Sequence, residues 1–428
     1  MKEFCKKIVV RIITWEAKML LRRTRPKVIA VTGNVGKTST KDAIYTVLKD
    51  HVRARKSEKS FNSEIGVPLS VLGLENAWSD PVLWLKNIID GLFTALLPGE
   101  YPNVLVLEVG VDRPGDMKEL TAWLKPDVVV ITRLPDVPVH VEYFSSPEEV
   151  VAEKLQLLDA LKSDGVFVYN HDDERVRQVA EETRQHSIGY SRYSPSHFTA
   201  SGDQISYQGN MPVGLEFDMS HLDTTERFML TDSIGMPHIY AYAAAAAVGS
   251  LFDVTLSQAR KALCAHTPTP GRMRVIAGLK DTVILDDTYN SSPTAAERAL
   301  SSLKEVKGKR KVAVLGDMLE LGQFSVREHE RVGEQVAECA DVLVTVGVRS
   351  RKIAEGALEH GFSEKNIFQY DEINRAQAEV QNMLQPGDVV LVKASQGIRG
   401  EKLVEEIMAE PERAEELLVR QSQTWKRR

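Results

Sequence analysis

A short apolar run, KVIAVT (27–32), leads directly into TGNVGKTST (32–40), and no other feature constrains the chain as tightly. The pattern reads as a strand, a turn carrying Gly33 and Gly36, and a helix that opens on Lys-Thr. Backbone N–H groups at such a helix start point at an anion, and the helix dipole adds positive potential there. Lys37 can reach the outer phosphates of a nucleotide and the Thr38 hydroxyl can ligate Mg²⁺, with Gly33, Asn34, Val35, Gly36 and Ser39 completing the cradle. The longer form GxxxxGK[ST] wants a glycine where Val31 stands, so the match is to the shorter TGxxGKT form.

The rest of the chain repeats the strand-then-helix alternation of a mostly parallel sheet covered by helices. VLVLEVG (104–110), DVVVIT (127–132) and GVFVYN (165–170) read as strands, with helices over 37–50 and 147–161. Residues 190–232 alternate polar and apolar and predict a small antiparallel excursion, after which 236–252 predicts a helix. Its alanine run 243–247 needs only close helix packing as an explanation. PTPGR (268–272) looks like a linker. Beyond it, strands at 283–287, 311–317, 341–347, 366–370 and 388–395 predict a second, smaller, Rossmann-like α/β domain. The expected division is a helical segment 1–27, a central P-loop domain 28–268 with an apolar insertion 76–103, and a C-terminal domain 269–428.

Charge and cysteine exclude several functions. The net charge of -6 is wrong for a general nucleic-acid binder. Cys5, Cys264 and Cys339 form no close pair, which argues against a disulfide framework or a zinc site and fits a cytoplasmic protein. The charge is uneven: residues 1–27 hold nine basic and two acidic side chains, or +7, which leaves -13 for the other 401 residues. Ile8, Ile12, Trp15 and Met19 recur at spacings of three and four, so this segment predicts an amphipathic helix. Two readings stand: a helix packed on the next domain, or an interfacial helix on an anionic membrane surface.

Isolated polar residues sit at strand ends, where open parallel sheets bind ligands. Glu108 closes VLVLE, and His140 follows the strand 127–132. On these and longer stretches the chain resembles the Mur ligases, ATP-dependent amide ligases of peptidoglycan synthesis. The matching segments are TGNVGKTSTK, FNSEIGVPLS (61–70), LEVGVDRPGDM (107–117), HVEYFSSPEEVVAEK (140–154), PGRMRV (270–275), DDTYNSSP (286–293), VLGDMLELG (314–322) with His329, and VKASQGIRGEKL (392–403). DDTYNSSP and GDMLELG are most similar to members that add D-alanyl-D-alanine.

The resemblance implies a reaction and a set of roles. A carboxylate would take the γ-phosphoryl of ATP to give an acyl phosphate, which an amine then attacks. Lys37 and Thr38 would serve the phosphates; Thr38, Glu108, His140 and Lys154 would hold Mg²⁺, with two ions expected. Lys154 matches a lysine that is carbamylated. Arg272 would reach the γ-phosphate, and Asp287 and Asn290 the nucleoside. Asn62 and Ser63 would face the acceptor, and Lys393, Ser395 and Arg399 the incoming amine. The implied partners are a muropeptide acceptor, small or lipid-linked, and a D-alanyl-D-alanine-like amine, for a monomer at most peripherally attached to the membrane. Another amide ligase of the superfamily, or a non-catalytic nucleotide-binding scaffold, remains as an alternative.

The chain departs from the family pattern in three places. Where the family helix carries HNxxN, the sequence reads His238-Ile239-Tyr240-Ala241-Tyr242, so that Tyr242 stands where an asparagine contacts adenine. The usual KGSR reads Lys393-Ala394-Ser395-Gln396, with Arg399 downstream. The family has a UDP-gripping domain before the P-loop; 31 residues precede Thr32, too few for one. The insertion 76–103 is expected either to close the core as a helical hairpin or to form a membrane-facing patch.

Overall fold

The protein, described here by a computed structural model, is defined over residues 3–58, 61–78 and 80–426. Lys2 and the side chains of Glu3 and Cys5 lie outside the described set. The chain begins α1 (Glu3–Thr24), β1 (Lys27–Thr32), α2 (Lys37–Leu48), β2 (Ala54–Lys56), α3 (Gly66–Leu72), α4 (Pro81–Leu96), β3 (Val104–Glu108) and α5 (Asp116–Thr121). It continues β4 (Val128–Ile131), α6 (Pro147–Asp159), β5 (Val166–Asn170), α7 (Glu174–Glu182), β6 (His186–Ser191), β7 (Phe198–Gln208), β8 (Met211–His221) and β9 (Thr224–Thr231). Then come α8 (Met236–Ser250), α9 (Leu256–Cys264), β10 (Arg274–Gly278), β11 (Thr282–Asp287), α10 (Pro293–Glu305), β12 (Arg310–Gly316), α11 (Ser325–Cys339), β13 (Val342–Val346), β14 (Ile367–Tyr370) and β15 (Asp388–Lys393).

Two sheets result. The first has nine strands in the order β2-β3-β1-β4-β5-β6-β7-β8-β9. Its strands are parallel as far as β7, and β7–β9 form an antiparallel meander. The polar stretch 190–232 forms the expected antiparallel excursion, and β6 pairs in parallel with β7 and carries it into the same sheet. The second sheet has six strands, β10-β11-β15-β12-β13-β14, all parallel except the β10–β11 pair. Apolar runs such as VLVLE and VILDD are buried on both faces, as central parallel strands must be.

The alanine run behaves as its composition predicts. Ala243–Ala247 are at most 2% exposed, and α8 lies close against α2, with Gly249 set where a Cβ would stand 2.8 Å from Val47. The opposite face of the first sheet is covered by α1, α3 and their neighbours. The buried stripe of α1 is Ile13, Ala17 and Leu20, not the predicted Ile8, Ile12, Trp15 and Met19. Ile8 and Trp15 stand exposed, Met19 is partly buried, and the stripe containing Ala17 packs into the cluster shared with α3 and α4. The insertion folds as one helix, α4, lying on α1 and α3.

A candidate active site between the two sheets

The strand ends of both sheets open onto one cleft of about 460 Å³. Asn34 to Ser39, Asn62, Glu108, His140, Arg272, Asp287, Asn290, Lys393 and Ser395 all line it. Residues as far apart in sequence as Asn34 and Ser395 thus meet at one place because both sheets present their carboxyl ends to it.

The P-loop geometry follows from its glycines. Gly33 has φ +134 and sits where a Cβ would be 2.1 Å from the Thr132 hydroxyl; Gly36, at φ +85, is the N-cap of α2. The Lys37 ammonium folds back onto the Gly33 carbonyl at 3.0 Å. Burial lowers its pKa, while Glu108 opposes the shift. Both polar side-chain atoms of Asn34, the Thr32 hydroxyl and Glu108 Oε2 are buried and have no hydrogen-bond partner within the protein. Buried polar atoms left this way cost free energy unless a ligand or water completes them. With the open helix start of α2, this donor set fits a nucleotide's phosphates and a hard divalent cation.

Glu108 is only 1% exposed. Its Oε1 accepts from Asn62 Nδ2 at 3.0 Å, and Lys41 Nζ approaches Oε2 at 4.0 Å. Lys41 is itself buried, bonded to the Ser57 carbonyl and 3.4 Å from Asp42, and nothing in the sequence reading singled it out. His140 has φ 69, in the left-handed region that a non-glycine residue rarely adopts. Its Nδ1 lies 2.9 Å from Glu320 and its Nε2 3.8 Å from Asp112. Glu320 also has positive φ, and contact with His140 holds its carboxyl below the ordinary range. Two strained residues from different sheets therefore meet across the cleft. Asp112 and Glu320 are additional site residues; both lie inside matching motifs, in LEVGVD and DMLELG.

Lys154 lies on α6, which Ser146 caps and Pro147 opens. Its position on an amphipathic helix suggests a surface lysine, but the residue is 1% exposed. Burial first, then the Lys37 charge, lower its pKa to about 7, against the pull of Asp112 and Glu153. The shift favours the free amine over the ammonium.

From the second sheet, Arg272 reaches the P-loop, its Nη2 donating to Thr38 Oγ1 at 3.2 Å. Its guanidinium lies 4.0 Å from the Tyr289 ring centre, and His238 Nε2 meets its backbone carbonyl at 3.0 Å. Asp287 accepts the Met273 N–H on one oxygen and the Lys393 ammonium, at 2.5 Å, on the other. Ser395 Oγ receives the Leu319 N–H at 3.0 Å and so fixes the loop that carries Glu320.

Three sequence expectations change. Tyr242 does not face the cleft: it is 1% exposed, tilted against Phe217 at 6.2 Å and edge-on to His266. Two residues earlier on α8, Tyr240 lines a recess beside the P-loop with Gly36, Thr132, Asn170 and Arg298, the last 5.8 Å from its ring centre. Arg399 is not among the cleft-lining residues; its Nε is 2.5 Å from Glu401 and its guanidinium stands over Trp425. Nor is Ser63, whose hydroxyl takes the Gly66 N–H at the start of α3.

Comparison with known proteins agrees with this geometry. The family description "Mur ligase middle domain" matches residues 86–249, and "Mur ligase, glutamate ligase domain" matches 271–396. The UDP-N-acetylmuramoyl-tripeptide–D-alanyl-D-alanine ligase of Bacillus subtilis is 29% identical over 398 residues, covering 92% of this chain and 79% of its own. The Mycobacterium leprae protein of the same name is also 29% identical, over 87% of this chain and 71% of its own. Among solved structures, the MurF ligase of Thermotoga maritima in complex with ADP superposes with a TM-score of 0.76 at 24% identity, covering 95% of this chain and 84% of that one. The folylpolyglutamate synthase of Mycobacterium tuberculosis complexed with ADP gives 0.65 at 18% identity, covering 93% and 94%, a likeness of fold. With both halves matched in order along the chain, this protein belongs to the Mur ligase family.

Proposed function

We propose that the chain is an ATP-dependent carboxylate–amine ligase that joins a D-alanyl-D-alanine dipeptide to the terminal carboxylate of a UDP-muropeptide. The observation that carries this reading is the set of buried side-chain atoms without a hydrogen bond, both of Asn34 and Oε2 of Glu108, beside Lys37 and faced across the cleft by Arg272 and Lys393. The nucleotide would lie between units 28–268 and 269–428. Its phosphates would rest on the α2 start, with Lys37 on the outer oxygens, the nucleoside toward Asp287 and Asn290, and the base at the mouth of the narrow recess beside Tyr240. Thr38, Glu108 and His140 would hold Mg²⁺, which neutralises charge on the phosphates.

ATP supplies the phosphoryl group that activates the acceptor carboxylate. The protein's own contribution is to gather cations where negative charge develops, the largest single source of rate in such reactions. Arg272 is preset by Tyr289 and His238 and already reaches Thr38, so it needs little reorganisation to meet the γ-phosphate. Lys393, held by Asp287 and the Asn290 carbonyl, would hold the amine component near the acyl carbon. The neutral character of Lys154 matters because CO₂ adds only to a free amine. Its carbamate would place an anionic Mg²⁺ ligand beside the Lys37 cation.

The test is phosphate release by the purified protein with UDP-MurNAc-tripeptide, D-alanyl-D-alanine, ATP and Mg²⁺. Release that needs both substrates is expected; release indifferent to the amine, or none, rejects the reading. A lipid-linked acceptor with the same terminal carboxylate is a second reading, which the apolar outer face of α4 favours. A non-catalytic scaffold fits poorly, since nucleotide binding alone gives no reason to bury Lys154.

A further inference from the structure

We propose that the outer face of α1 and α4 docks on an anionic lipid leaflet. Helix α4 is amphipathic the wrong way round for a soluble surface. Val82, Leu85, Ile89, Leu92, Phe93 and Leu96, at spacings of three and four, form one exposed arc. The opposite arc, Trp84, Asn87, Gly91 and Ala95, is buried. The helix cannot roll over to hide its apolar arc. Trp84 Nε1 is bonded to the Trp78 carbonyl, Asn87 Nδ2 to the Glu75 carbonyl, and Gly91 sits where a Cβ would be 2.3 Å from Glu16 on α1. Among the described residues, eleven of the eighteen exposed large hydrophobic side chains fall between Ile8 and Leu97, so this is a patch and not ordinary scatter.

Charge selects the occupant. On α1 the exposed residues include Lys7, Arg11, Trp15, Arg22 and Arg23, opposite the buried Ile13, Ala17 and Leu20. At its C-terminal end a cavity of about 360 Å³ is lined by Lys18, Arg22, Arg25, Lys125 and Lys162 around Trp123. The acidic groups of α4 are engaged: Asp80 caps the helix and Asp90 pairs with Lys86. A basic stripe beside an apolar arc with Trp, Phe and Leu is the composition of a helix pair lying in the headgroup plane. A second copy related by a two-fold axis would set the same basic stripe against itself. No helix among the described residues is long and apolar enough to cross a membrane, so the contact is peripheral.

Deleting α1 would not test this, since Ile13, Ala17 and Leu20 belong to the core. The test is co-sedimentation of the full chain with phosphatidylcholine vesicles, with and without about 30% phosphatidylglycerol. The expected result is pelleting with the anionic vesicles at low salt, several-fold less with neutral ones, and release as salt rises. Ile89→Ser with Phe93→Ser, and separately Lys7→Glu with Arg11→Glu, should each weaken pelleting about tenfold or more. Both should keep the melting temperature and the phosphate release of the wild type, since none of the four residues lines the cleft. If the apolar variant melts early, the charge variant decides. Wild type left in the supernatant, or pelleting indifferent to lipid charge, overturns the proposal. So does a dimer or protein complex that Phe93→Ser splits, which would make this face a protein interface. Pelleting is read without substrates, so its failure is distinct from failure of the ligase reading.

Discussion

At the cleft, Glu108 and Lys393, and behind its lining Lys154, are each no more than 2% exposed, whereas on α4 Leu85 and Phe93 are 60% and 62% exposed. The first region buries charge and the second exposes hydrocarbon. Each arrangement costs stability where it stands, since a buried ion loses hydration and an exposed aromatic orders water. Both persist on rigid elements, with the partners of the side chains on the inner side well formed and those on the outer side missing. The difference lies in what each waits for: a small, multiply charged ligand in an enclosed space, or an extended apolar surface with negative charge at its edge.

Lys37→Ala should break the cleft alone and produce the largest effect. Removing a preorganised cation from developing phosphate charge costs on the order of 10²–10³ in rate. Phosphate release should fall by that factor while vesicle pelleting stays unchanged. Activity within about threefold of wild type would remove Lys37 from the machinery.

Lys154→Ala should also inactivate, but with a distinct signature. If the working group is a carbamate, a small carboxylate such as acetate should restore part of the lost rate, and depleting bicarbonate should slow the wild type. Acetate has no route to rescue Lys37→Ala, so the pair separates a metal ligand from a phosphate contact. Full activity of Lys154→Ala would reject the carbamate.

Tyr240 and Tyr242 sharpen the description of the cleft on a smaller scale. Stacking of a base on an aromatic ring is worth about 1–3 kcal/mol, so Tyr240→Ala should raise the KM for ATP about tenfold with kcat little changed. Tyr242→Phe should leave the KM alone, because that hydroxyl is buried away from the cleft without a partner. The reverse result would place the base against Tyr242 and contradict the side-chain packing.

How much of this was legible in the sequence depends on how local the signal was. KVIAVT reads as a strand over the six residues that form β1, since alternation with the following turn is written in adjacent residues. The strands of the second sheet were equally plain, except β10, whose RVIAG follows a loop and pairs antiparallel with β11. The short edge strand β2 gave no periodic signal. In the site, the P-loop and Glu108 could be placed from spacing, whereas Lys41, Asp112 and Glu320 could not. Their importance comes from contacts between strand ends that only the sheet order determines. Lys154 shows the limit most sharply: a lysine is expected at the surface, yet it shares a helical face with Val150, Leu157 and Leu158 and is buried with them. Which face of α1 is buried is likewise not written in its periodicity. Two apolar stripes run along that helix, and the one with Ala17 is buried where α1 packs on α3 and α4.

Glu16 links the two regions and gives the smallest expected effect. It is 1% exposed at the α1–α4 crossing, Oε2 has no hydrogen-bond partner, and Gly91 leaves just enough room for it. Burial raises its pKa from 4.5 to about 7. The unfolded chain therefore gives up this proton near pH 4.5 while the folded one keeps it until about 7, so stability declines across that interval as pH rises and is level above it. Glu16→Gln keeps the shape and removes the ionisation. It should raise stability by about 1–2 kcal/mol at pH 8 and change it little at pH 4.5, as read from urea midpoints at the two values. Equal effects at both would mean that water reaches the carboxylate and that the α1–α4 crossing is looser than described. A gain at pH 8 without loss of vesicle pelleting would show that the crossing only holds the two helices, and that lipid contact belongs to their outer arcs.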